Sequence, residues 1–117
     1  MIFCSKNEAG IPKWKLVLNG QATVTRRTRL QPVGTEFAVQ PARGKKAVCR
    51  AIVVSCMTHL DWIRMVSQYP PDRQQVAIAN EAHCEGFERW GTLWAWLRAH
   101  HKNPDDLYRI AFEVVKP

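Results

Sequence analysis

Four stretches of the chain carry residues suited to chemistry. Thr25-Arg26-Arg27-Thr28-Arg29 interleaves hydroxyls with guanidinium groups. Successive side chains of an extended segment point to opposite faces, so this run would present cations on both. An arginine fork matches a phosphate or a base edge, whereas the competing reading is a solvated edge strand whose charge discourages aggregation. Arg43-Gly44-Lys45-Lys46 is a basic loop whose glycine would let backbone amides approach an anion. It lacks the glycine spacing and terminal Ser/Thr of a P-loop, so it reads as a phosphate-positioning loop or a solvated turn. Glu85 precedes Gly86 at the expected end of a helix, where the dipole disfavours a carboxylate. Residues that break a local rule are enriched at functional sites. His59, His83 and the pair His100-His101 have the side chains of a nuclease acid and base. Favourable interaction with a helix C-terminus accounts more simply for the adjacent pair.

Metal and redox chemistry find less support. Cys4, Cys49, Cys56 and Cys84 show no C-x-x-C spacing, and the two tight ligand pairs of a structural zinc site are missing. The four read as buried structural thiols, and neither metal nor cofactor is expected. Five tryptophans invite base stacking, but Trp90 and Trp94 fall on an apolar stripe and read as core. Trp96 points off that stripe, and it, Trp14 and Trp62 are candidates for exposure, although core or interface packing is favoured over base stacking for each.

The net charge of +7 is unevenly distributed. Residues 1–58 carry ten Lys/Arg against two acids, and residues 59–117 seven against eight. Such asymmetry is the usual footprint of a face that binds polyanions. No apolar run approaches the roughly 18 residues of a membrane span, because Arg50 interrupts the best candidate, Ala47 to Met57. The first residues, Met1-Ile2-Phe3-Cys4-Ser5-Lys6, lack a secretory apolar stretch, and a cytoplasmic location is expected.

These groups must be positioned by a single domain, since no repeat or low-complexity linker divides residues 1–117. Pro12 to Asn19 reads as a short helix, with proline in its first turn and Gly20 at its left-handed end. Ala22 to Thr28, Glu36 to Gln40 and Lys46 to Cys56 read as strands. Leu60, Ile63 and Val66 predict a helix stopped at Tyr69-Pro70-Pro71. Ala77 to Cys84 predicts another, and Trp90, Leu93, Trp94 and Leu97 space an amphipathic helix from Trp90 to His101. Tyr108, Ile110, Phe112 and Val114 alternate in a closing strand. Strands in both halves with helices between them indicate an α+β fold.

Three segments in order resemble the ASCH family of the PUA-like superfamily, especially compact members common in phages and prophages. They are Gly20-Gln21-Ala22-Thr23-Val24-Thr25-Arg26-Arg27-Thr28, then Val33 to Gly44, then Glu81-Ala82-His83-Cys84-Glu85-Gly86-Phe87 with the Trp-rich helix and Arg109 to Val114. The resemblance spans residues 12 to 115 and implies a PUA-like β-barrel of about five to six strands with two to four short flanking helices. It implies a cleft between barrel and helices that takes RNA or a modified nucleoside, lined by Thr25, Arg27 and Glu85, with Arg43, Lys45 and Lys46 near its rim; Gly20 and Arg26 are expected among the binding residues. The family signature places a lysine two residues after the glycine, and here that position is Ala22. Relatives that hydrolyse N4-acetylcytidine use that lysine with a threonine and a glutamate, which would be Thr25 and Glu85. Ala22 can neither accept a proton nor stabilise charge, so binding of single-stranded RNA or a modified base is the leading expectation. The alternatives are an amidohydrolase and a phage-type domain that binds a protein and no RNA.

Overall fold

Strand alternation sets the sheet, and the ends of three helices set what stands above it. The computed structural model describes residues 1–115. The elements are α1 (Lys13–Leu18), β1 (Val24–Arg27), β2 (Glu36–Val39), β3 (Cys49–Thr58), α2 (His59–Ser67), α3 (Pro71–Cys84), α4 (Trp90–His100), a 3-10 turn (Pro104–Asp106) and β4 (Tyr108–Val114). The sheet is antiparallel throughout, in the order β1-β4-β3-β2. In β4, Ile110 and Phe112 are buried as their alternation requires. The β3–β4 register slips by one residue between Val53 and Ser55. That bulge sharpens the local twist and helps curl the sheet into a half-barrel.

The barrel is less complete than its expected five to six strands. Among the described residues four strands form ladders, and β1 and β2 are left as opposite edges. The N-terminal segment spans the gap through isolated contacts. Ile2 bridges Gln40, the Phe3 amide donates to the Gln40 carbonyl at 2.9 Å, and Arg27 Nη2 donates to the Ile2 carbonyl at 2.6 Å. The N-terminal segment thus links the two edges through a side-chain hydrogen bond at β1 and isolated backbone contacts beyond β2.

Two cores result. Phe3, Leu16, Val17, Ala22, Val39, Ala51 and Phe112 pack between α1, the N-terminal segment and the sheet. Ala82, Phe87, Leu93, Leu97 and Leu107 pack beneath α3 and α4. The break at Tyr69-Pro70-Pro71 does separate two helices, but Pro71 begins α3 well before the expected Ala77. Proline costs nothing at a first helical position, where its missing N–H has no partner to lose.

The joint between the cores lies at the end of α3. Glu85 is the C-cap residue, and Gly86 turns the chain at φ +94°. A β-carbon there would stand 3.0 Å from Leu16 Cδ1, so glycine satisfies both the backbone and the packing. The Thr23 amide donates to the Cys84 carbonyl at 2.8 Å, tying the entry to β1 to the last turn of α3. Among the described residues no helix is long and apolar enough to cross a membrane.

Candidate functional site

Glu85, Lys13 and Arg26 form a dry ionic centre between the two cores. They are 3%, 7% and 3% exposed, so water cannot compensate their charges. Glu85 Oε1 accepts from Lys13 Nζ at 3.0 Å and Oε2 accepts from Arg26 Nη1 at 2.6 Å. Arg26 Nη2 also donates to Glu81 Oε2 at 2.8 Å, and its Nε donates to His59 Nδ1 at 3.0 Å. Arg109 forms a second, two-pronged pair with Glu81. The Arg26 guanidinium lies against Trp62 and Trp90, 5.0 and 5.7 Å from their ring centres. This cation–π contact adds to its salt bridges.

Each element's local chemistry delivers one member. Lys13 opens α1, where its backbone N–H donates to the Ser5 carbonyl at 2.8 Å. Leu16 and Val17 follow at the helical i+3 and i+4 spacing, so Lys13 shares their buried face. On β1, Thr25 and Arg27 share the face opposite Arg26. Glu85 sits at the negative end of the α3 dipole, an unfavourable place that Lys13 and Arg26 offset.

Burial alone would raise the Glu85 pKa; Lys13 and Arg26 outweigh it and hold the carboxyl below its ordinary value. Burial pulls the Lys13 ammonium down against the attraction of Glu85, helped by the charges of Arg27 and Arg26. Burial and then the Arg26 charge push His59 down to about 4. His59 is therefore neutral at pH 7, with Nδ1 free to accept from Arg26.

Beside this centre opens a cleft of about 290 Å³. Lys13, Thr25, Arg27 and Glu85 supply its polar floor, and Phe3, Phe87, Leu93 and Trp96 its apolar wall. His100 and His101 also line it, and His100 stacks on Trp96 with 4.2 Å between ring centres. Thr25 is 3% exposed, and its Oγ1 accepts from Arg27 Nε at 3.2 Å. A charge-assisted donor on that oxygen makes the hydroxyl proton a better donor to a ligand.

The cleft therefore gathers Thr25, Arg26, Arg27 and Glu85. Gly20 is at a left-handed φ of +84° and lines a separate, mainly apolar hollow with Val17, Ala22 and Phe112. Arg43, Lys45 and Lys46 are exposed in the β2–β3 connection and do not line the cleft. Their loop begins beside Gln40, which is bonded to the N-terminal segment that forms one cleft wall. Trp62, a candidate for exposure, is buried against Arg26, while Trp90 and Trp94 are partly buried around His59. Trp96 alone of the five lines the cleft. Among the described residues no three His, Cys, Asp or Glu side chains converge as a metal site requires.

Lys13 is the functional candidate that sequence reasoning passed over. Ala22 packs in the core, and Lys13 reaches Glu85 from α1.

No family model and no curated protein matches this sequence. The fold matches solved structures. An ASCH domain from Lactobacillus crispatus JV V101 superposes with a TM-score of 0.53 at 20% identity, over 96% of this chain and 76% of that one. A DUF984-family protein from Enterococcus faecalis V583 gives 0.55 at 16% identity, over 97% and 78%. The chain has an ASCH-like α+β fold.

Replacing Glu85 by Gln would leave Lys13 and Arg26 buried without their shared anion. Chemical denaturation should show a loss of about 3–5 kcal/mol. Lys13→Met should cost less, because Glu85 keeps Arg26. A Glu85→Gln protein within about 1 kcal/mol of wild type would contradict the network's role.

Proposed function

We propose that this domain binds RNA or a nucleoside by seating one unstacked base in the cleft. The observation that carries this reading is the pairing of an aromatic and aliphatic wall with a polar floor of Lys13, Thr25, Arg27 and Glu85. A base needs both: a flat apolar contact for its faces and fixed donors and acceptors for its edge. The cleft volume lies at the small end of ligand sites, which suits one base with its sugar rather than a larger molecule. The ASCH-like fold agrees with this reading. Single-stranded RNA fits better than a duplex, whose base edges are inaccessible to a concave pocket. The exposed basic residues Arg43, Lys45 and Lys46 would then meet flanking phosphates.

Fluorescence anisotropy of a short labelled single-stranded RNA, with free nucleosides as competitors, tests this directly. Trp96→Ala should weaken binding by about 1–3 kcal/mol if a base stacks there. Absence of binding at low salt by both RNA and nucleosides would overturn the reading in favour of a protein partner.

The position of Lys13 favours a second, catalytic reading: hydrolysis of N4-acetylcytidine or a related N-acylated base. The cleft holds a lysine, a threonine and a glutamate although position 22 is alanine. Lys13, whose burial favours loss of a proton, would first release one to solvent, and Thr25 Oγ1 would then bond to the acyl carbon as its proton passes to the Lys13 amine. The amide C–N bond would then break, with the departing nitrogen taking that proton back. Water would cleave the acyl-threonine, releasing acetate and restoring the hydroxyl. Glu85, held ionised, would orient Lys13 and stabilise its transient ammonium. Incubation with N4-acetylcytidine should yield cytidine and acetate, and Thr25→Val should reduce turnover at least about 100-fold. No product from concentrated wild-type protein would exclude this chemistry while leaving the binding reading intact.

A further inference from the structure

The ionic centre has more cations than anions, and the surplus faces the cleft. Two buried carboxylates, Glu81 and Glu85, are shared by Lys13, Arg26 and Arg109. Arg27 is a fourth cation in the same neighbourhood, and among the described residues it is paired with no carboxylate. Its hydrogen bonds go to neutral oxygens, the Ile2 carbonyl and the Thr25 hydroxyl. Its guanidinium also lies 4.8 Å from the Phe3 ring centre. Two bonds leave part of its five-donor fork free, and Arg27 lines the cleft.

Burial works against the Arg27 charge, and Glu85 offsets this only through space without a direct contact, so an anion brought by a ligand to its free donors would be favourable. Its neighbours register the same excess of positive charge. Burial and the Arg27 charge lower the pKa of the Met1 amino group. Burial, His100 and Arg27 lower that of His101, which also lines the cleft.

We infer that the cleft contains an anion subsite built on Arg27, and that its preferred ligand is a nucleotide whose phosphate pairs with the Arg27 fork while its base lies along Trp96. This deepens the base-binding reading and rests on it for the identity of the ligand. Thr25 completes the subsite, since its hydroxyl proton is free to donate while its oxygen accepts from Arg27. His101 adds a further polar group at the lining. The phosphate could be a terminal monoester or an internal diester of a strand, and the two sources are separable by experiment.

Calorimetric titration with cytidine, its 5′- and 3′-monophosphates, inorganic phosphate and a trinucleotide having only internal phosphodiesters provides the test. At least one phosphate-bearing form should bind about tenfold or more tightly than cytidine. Arg27→Gln should remove that advantage, weakening the phosphate-bearing form about tenfold more than it weakens cytidine. In wild type the advantage should shrink as salt rises, and cytidine binding should not, a readout independent of how the variant folds. A gain confined to a monophosphate indicates a free nucleotide, and an equal gain for the trinucleotide indicates a strand; either supports the subsite. Equal affinity for cytidine and every phosphate-bearing form would overturn the inference and leave base binding standing. Binding of inorganic phosphate that Arg27→Gln abolishes, with no cytidine binding, would support the anion subsite and overturn the base reading. Binding of none of the probes would overturn both.

Discussion

A carboxylate shut away from water must share cations or give up its charge, and the architecture turns on how Glu85 meets that demand. One oxygen is bonded to Lys13 from α1 and the other to Arg26 from β1. These bonds connect the core beneath α1 with the core beneath α3 and α4. Gly86 allows the chain to turn immediately afterwards while Leu16 packs against it. The Thr23–Cys84 backbone bond holds β1 and α3 in the same relation. A buried ionic network of this kind contributes little net stability compared with an apolar substitute of the same volume. Its consequence lies in geometry, since it fixes the positions and charges of the groups lining the cleft.

That geometry divides the labour on β1. Arg26 turns toward the helices, where two glutamates, a neutral histidine and two tryptophans account for its guanidinium. Thr25 and Arg27 turn the other way, toward the N-terminal segment and the cleft. Adjacent arginines of identical chemistry thus sit in different settings, one paired with buried glutamates and one lining the cleft without a bonded carboxylate. The N-terminal segment joins both tasks, because the residues that link the two sheet edges also form a cleft wall.

Much of this was legible from pattern. The alternation of Ile110 and Phe112, the spacing of Leu93 and Leu97, and the left-handed Gly20 follow from local periodicity and turn chemistry. Thr25, Arg27 and Glu85 were found by motif and by a broken dipole rule, and they do meet in space. Lys13 was not singled out, because which of several lysines, among them Lys15, Lys45 and Lys46, reaches Glu85 depends on the fold. Its signal was nevertheless present, a lysine at the i position of a stripe continued by Leu16 and Val17. The contact that buries Trp62 was not legible, because its partner, Arg26, lies 36 residues away and only the fold brings them together. The incomplete barrel was likewise illegible: Met1 to Cys4 has no ladder pattern, and its place depends on isolated contacts with Gln40 and Arg27.

The central claim is that ligand chemistry takes place over the Lys13–Thr25–Arg27–Glu85 floor. Mapping amide and indole N–H chemical shifts during titration with cytidine and its monophosphates tests it residue by residue. The account predicts the largest changes at the Trp96 indole and at the amides of Thr25, Arg27, Gly86 and Phe87. Changes confined to the exposed faces of α2 and α3, with those cleft signals unmoved, would contradict it.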